Sequence, residues 1–187
     1  PTTTNLNISG NINGNLIQLD GADNVRFDGR MNKEGAPSLS IVNNNTGTSA
    51  RTIELINSAE NNAFEYLTIK GAGTATSIGT VNLSTSSAGN GNDNNVIAFC
   101  KISGISNTAR ASNSIYSAGT SGRENSGNTI RNNDIFDFLS RSTNSNAILI
   151  AANSTDFTIT ANSFYETTSL VPTANVTYSA IRVNNSS

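Results

Sequence analysis

The sequence predicts an all-β solenoid of about five to six coils with three short strands per coil. Three observations carry this. An asparagine-led segment returns at residues 62, 95 and 128, two steps of 33, with a shorter copy over Phe157–Glu166. A second set of four-residue apolar alternations precedes each copy, and helical periodicity is nowhere sustained. Self-similarity at such a period marks a repeat architecture in which one supersecondary unit stacks on the next.

The alternations read Leu16–Leu19, Thr52–Leu55, Thr80–Leu83, Ser114–Ser117, Ala147–Ile150 and Ala180–Val183. Side chains alternate along a strand. Ile17, Ile53, Val81, Ile115, Ile148 and Ile181 therefore form one inward ladder. Leu19, Leu55, Leu83, Ile150 and Val183 form its neighbour, with Ser117 the polar exception. Each asparagine-led segment supplies two more strands. Phe64, Ile97, Ile130 and Ile159 make one inward row, and Ile69, Ile102, Ile135 and Phe164 another. Leu67, Cys100, Asn133 and Asn162 fall at the corner between them, where an inward asparagine can bond the backbone of neighbouring coils. The first coil carries the same three strands around Asp20–Asp23, Phe27 and Ile41, with a longer insertion. All 187 residues form one domain: an irregular lead-in over 1–15, coils over 16–183, and the opening of another coil over 184–187. No cap is recognisable at either end, so a segment of a longer protein, or an assembly that covers the ends, is expected.

Composition agrees with a thin core. Only 35% of the chain is hydrophobic and 13% charged, and Asn, Ser and Thr make up about two fifths. A net charge of -2 from 11 basic and 13 acidic residues, scattered singly, provides no basic stripe, which argues against nucleic acid as a partner. No apolar run approaches the roughly 18 residues of a membrane span. Histidine is absent, which removes histidine triads and the commonest zinc ligand. The single cysteine, Cys100, sits at a periodic apolar position and reads as a buried, inert thiol.

The segments Gly91–Asn95, Asn113–Thr120, Asn125–Ile135 and Phe157–Tyr165 resemble the repeats of right-handed, single-stranded parallel β-helices, of pectate-lyase type, in large secreted surface proteins of bacteria exported by the type IX system. The likeness runs from Leu16 onward. It implies an extracellular or cell-surface setting, and it spans enzymes and adhesins alike, so function has to come from particular residues.

For catalysis, the polysaccharide hydrolases and lyases of this class need acids on neighbouring coils, or an acidic calcium cluster with a basic residue. The alignment sets Asp137 beside Glu166 one coil on, close enough for paired carboxylates, and sets Asp134 over Lys101. Asp20, Asp23 and Asp28 are the densest acidic group and the weak candidates for Ca2+. Their spacing matches neither an EF-hand loop nor a nonapeptide calcium repeat, and Asp20 and Asp23 flank a Gly21-Ala22 turn where aspartate is commonplace without a metal. For binding, outward Phe136 and Tyr165 stand one rung apart as a flat platform for a sugar ring, and Tyr116 is the other outward aromatic. The leading expectation is a non-enzymatic structural or adhesive module that binds a glycan or another surface protein and needs no cofactor. The alternative is a β-helix polysaccharide lyase or glycoside hydrolase using Asp137 and Glu166.

Overall fold

The computed structural model describes residues 5–185. The chain winds into a parallel β-solenoid of about five turns. The first sheet stacks Asn15–Asp20, Arg51–Ile56, Val81–Leu83, Asn113–Ser117, Ser145–Ile150 and Tyr178–Val183. The second stacks Arg26–Asp28, Ala63–Glu65, Val96–Ala98, Thr129–Arg131 and Thr158–Thr160. The third stacks Leu6–Gly10, Leu39–Asn43, Thr68–Lys70, Lys101–Ser103, Asp134–Phe136 and Ser163–Tyr165. A short pair, Asn125–Ser126 with Ser154–Thr155, bridges the first and second sheets in chain order. The strand Leu6–Gly10 lies where the sequence reading places only an irregular lead-in. Its alternation is brief, and its partner, Leu39–Asn43, lies across the irregular first coil.

The register of the inward rows matches the alignment: Ile17↔Ile53↔Val81↔Ile115↔Ile148↔Ile181, and Phe64↔Ile97↔Ile130↔Ile159 with Phe27 added. In the third sheet the row is Ile8, Ile41, Ile69, Ile102, Ile135 and Phe164. Ile41, Ile53, Phe64, Ile69, Ile102, Ile115, Ile135 and Ile148 are fully buried. Removing each from water contributes about 1.5–3 kcal/mol. Ser117 fits the apolar ladder because its hydroxyl pairs with that of Ser154 at 2.9 Å and accepts from Asn125 at 3.1 Å. Cys100 is buried, and burial pushes its thiol up to about 12, as an inert core cysteine requires.

Corners are made by left-handed residues followed by inward ones. Between the second and third sheets the turn is Tyr66-Leu67, Phe99-Cys100, Asn132-Asn133 or Ala161-Asn162, with φ of 54, 55, 55 and 52° at the first residue of each. Left-handed geometry costs a residue bearing Cβ roughly 1–2 kcal/mol, and stacking of identical corners holds it in place. At the inward position, Asn133 accepts the Cys100 N–H at 2.9 Å and donates to the Ile97 carbonyl at 2.9 Å. The leading asparagines form a second column that the motif marks without explaining. The N–H groups of Val25, Asn62 and Asn95 donate to the Oδ1 atoms of Asn62, Asn95 and Asn128 at 2.8, 2.9 and 2.9 Å. A third column joins Ala59, Asn92 and Asn125 in the same way. Buried asparagine is affordable here because both ends of its amide are satisfied.

Candidate functional site

Asp137 and Glu166 do come together, but around a residue the sequence reading passes over. Asp137 follows the strand Asp134–Phe136 in left-handed geometry, φ 51°. Glu166 follows Ser163–Tyr165 one coil on. Between them lies the guanidinium of Arg110, 5% exposed, brought in by the loop after Lys101–Ser103. Its Nη2 is 3.4 Å from Asp137 Oδ1, its Nη1 pairs with Glu166 Oε2, and Nη1 also donates to the Leu139 carbonyl at 3.2 Å. The remaining acceptors are occupied too. Glu166 Oε1 takes the N–H groups of Phe138 and Leu139 at 3.0 and 3.1 Å. Asp137 takes the N–H and hydroxyl of Thr167 at 2.9 and 2.7 Å. Such bonding uses the oxygens that would hold a water or a sugar hydroxyl. Arg110 leaves a faint sequence signal: it is a lone cation in a Ser, Thr and Ala loop, with no counterpart in neighbouring repeats to align it.

The outward aromatics are arranged differently from a platform. Phe136 and Tyr165 share a register row with Val42, Lys70 and Ser103. Their ring centroids are 5.3 Å apart and their planes 10° from parallel. Rings that close and that parallel overlap face to face. The pair therefore shows edges and one free face, that of Tyr165, rather than two tiles for a sugar. A second column stands at the corner between the second and third sheets, where Tyr66 and Phe99 stack at 4.7 Å. Arg30 closes it at 3.6 Å from the Tyr66 centroid and Arg131 at 4.9 Å from that of Phe99. The left-handed corner points these rings outward, which a strand alternation could not show.

Tyr116 is half-buried, and burial pushes its hydroxyl upward. Its row is partly closed by Glu54, only 4% exposed. Glu54 gathers Gln18 at 2.9 Å, Asn82 at 3.4 Å, Arg51 at 3.3 Å and the Asn15 amide. Asp134 lies over Lys101 as aligned, but the two form no salt bridge among the described residues. The three acids considered for calcium point to separate partners. Asp20 accepts from Asn57 at 2.7 Å, Asp23 from the Glu60 N–H at 2.8 Å, and Asp28 is clamped by Arg30 at 2.8 Å. Among the described residues no group of three or more acids or cysteines is placed to hold a metal.

The loops after the third sheet form a furrow along the solenoid. One cavity of about 270 Å³ is lined by Thr46, Thr74, Thr108, Arg110, Ser140 and Arg141, among others. A second, of about 180 Å³, shares Thr108 and Arg141 and continues to Thr168 and Val171. Neither lining contains a carboxylate residue, and Arg141 anchors the far wall by donating to the Val171 carbonyl at 3.2 Å. None of the known protein families, curated proteins or solved structures matches this chain. The reading of function therefore rests on this geometry and on the sequence.

Proposed function

We propose that this chain is a non-enzymatic structural or adhesive β-solenoid module of an extracellular bacterial surface protein, presenting its loop edge and outer face to a glycan or to a neighbouring protein. The observation that carries this is the occupation of Asp137 and Glu166 by Arg110 and by backbone and hydroxyl donors, which makes them a structural ion cluster. The loop furrow, rich in hydroxyls and crossing five successive loops, supplies the surface. Half-open and running past successive loops, with hydroxyl and guanidinium groups set among apolar surface, it suits an extended chain of sugars better than an enclosed small molecule. Surface placement and the type IX route rest on the sequence resemblance.

The competing reading is a polysaccharide lyase or hydrolase, favoured by the convergence of two carboxylates and an arginine beside that furrow. One panel of plant, algal and bacterial polysaccharides separates the two. Retention in affinity electrophoresis without release of reducing ends or unsaturated products is the expected result. Cleavage that disappears in both Asp137→Asn and Glu166→Gln, each still folded by circular dichroism, would overturn it.

A further inference from the structure

The furrow holds two guanidinium groups, and they are not equivalent. Arg110 is buried between Asp137 and Glu166, and two carboxylates against one cation leave that cluster formally negative. Arg141, half-buried, pairs with no carboxylate among the described residues. It is nevertheless held in place. Its Nε donates to the Val171 carbonyl at 3.2 Å, and its own carbonyl accepts the N–H and the hydroxyl of Thr173 at 2.8 and 3.1 Å. Both Nη groups are left without an acceptor among the described residues, on a side chain that lines both cavities. Loops flank it on either side, with Thr108 from the coil before and Thr168 from the coil after.

A planar fork anchored at one nitrogen and open at two suits a carboxylate, which can accept from both Nη groups at once. The cavity linings contain no cation besides Arg110 and Arg141. On one side of Arg141 they offer the hydroxyls of Thr46, Thr74 and Thr108, and on the other Thr168 and Ser169. Leu170 and Val171, the latter 69% exposed, give the apolar face of a sugar ring something to rest on.

We propose that the ligand of this furrow is a sparsely acidic glycan, with one carboxylate-bearing sugar seated on Arg141 and neutral sugars on both sides. The proposal rests on the reading of the furrow as a glycan surface. A chain with an acid on every sugar fits less well. Neighbouring coils are about 4.8 Å apart, so its next carboxylate would lie beside the Arg110 cluster, whose cation is already occupied by Asp137 and Glu166. Like charges brought together in this way oppose binding. A wholly neutral chain leaves the Arg141 fork without its ion partner.

The test is calorimetric titration with oligosaccharides of deacylated gellan, in which a single glucuronate is flanked by neutral sugars. Three further ligands serve as comparisons: the same oligosaccharides after carboxyl reduction, cello-oligosaccharides and oligogalacturonate. Gellan fragments should bind saturably, and more tightly than any of the three. Carboxyl reduction and Arg141→Gln should each weaken binding by about tenfold or more, the effect of losing charge-assisted hydrogen bonds. The two losses should not add, so the reduced fragments bind the variant and the unaltered protein alike. The reduced ligand probes the contact without altering the protein. Equal binding before and after reduction overturns the proposal, as does tighter binding of oligogalacturonate or of the neutral chain, and either result leaves the glycan surface standing. An Arg141→Gln variant, folded by circular dichroism, that loses charged and reduced fragments equally also overturns it, because Arg141 would then only shape the wall. Binding of no oligosaccharide overturns both the proposal and the glycan reading of the furrow.

Discussion

The middle of the solenoid and its C-terminal coil are built from the same parts and differ in what covers them. Ile130 is 1% exposed between Ile97 and Ile159, whereas Ile181, in an equally inward row, is 44% exposed because it has a neighbour on one side only. Tyr66 and Phe99 are closed by an arginine at each end, whereas the face of Tyr165 is bare. Asn133 is bonded in both directions, Asn162 in one. A repeat's stability thus includes its interfaces with the neighbouring coils as well as its own packing, and the same inward position is buried in one coil and exposed in another.

The largest test of that contrast is a buried charge. Ile130→Asp should lose about 3–5 kcal/mol in urea unfolding, and Ile181→Asp less than about 1 kcal/mol. Equal losses would mean that Ile181 is covered in solution. Arg110→Met should cost about 2–4 kcal/mol by leaving Asp137 and Glu166 without their cation, the lower part of the range applying because both acids are partly exposed. If stability is unchanged and a polysaccharide cleavage shown by the unaltered protein is lost, the cluster has a catalytic rather than a structural role.

Smaller effects sharpen the comparison. Asn133→Ala removes three side-chain hydrogen bonds, two of them fully buried, and should cost about 2–3 kcal/mol, and Asn162→Ala, whose three are only part-buried, about half as much. Reversal of that order would show that the last corner is already paired. Arg30→Ala uncaps Tyr66 and should cost about 1 kcal/mol, while Tyr165→Ala, at the open column, should cost less. The smallest effect is with pH. The guanidinium of Arg30 holds the Asp28 carboxyl down at about 2, against an ordinary value of 3.8. Because the folded value is depressed, this contribution is complete above the ordinary value and is lost as pH falls from there through about 2. An acid titration of stability in Asp28→Asn should lack that limb.

Much of this was legible before the structure. The 33-residue return, the strand alternations and the corner placement of Asn133 and Asn162 follow from local sequence, since a solenoid sets each residue beside its own counterpart one period on. The site was less legible. Arg110 reaches Asp137 and Glu166 from a loop with no counterpart in other repeats, 27 and 56 residues away in the chain. The Tyr66–Phe99 column depends on left-handed corners that alternation does not encode.

By itself, then, the sequence determined the coil, its inward rows and their register, because period-two burial and repeat spacing are properties of the chain taken locally. Only the tertiary structure decided that two aligned acids are claimed by one arginine and that two outward rings overlap instead of tiling. Each of those depends on where an irregular loop or a corner turns in space.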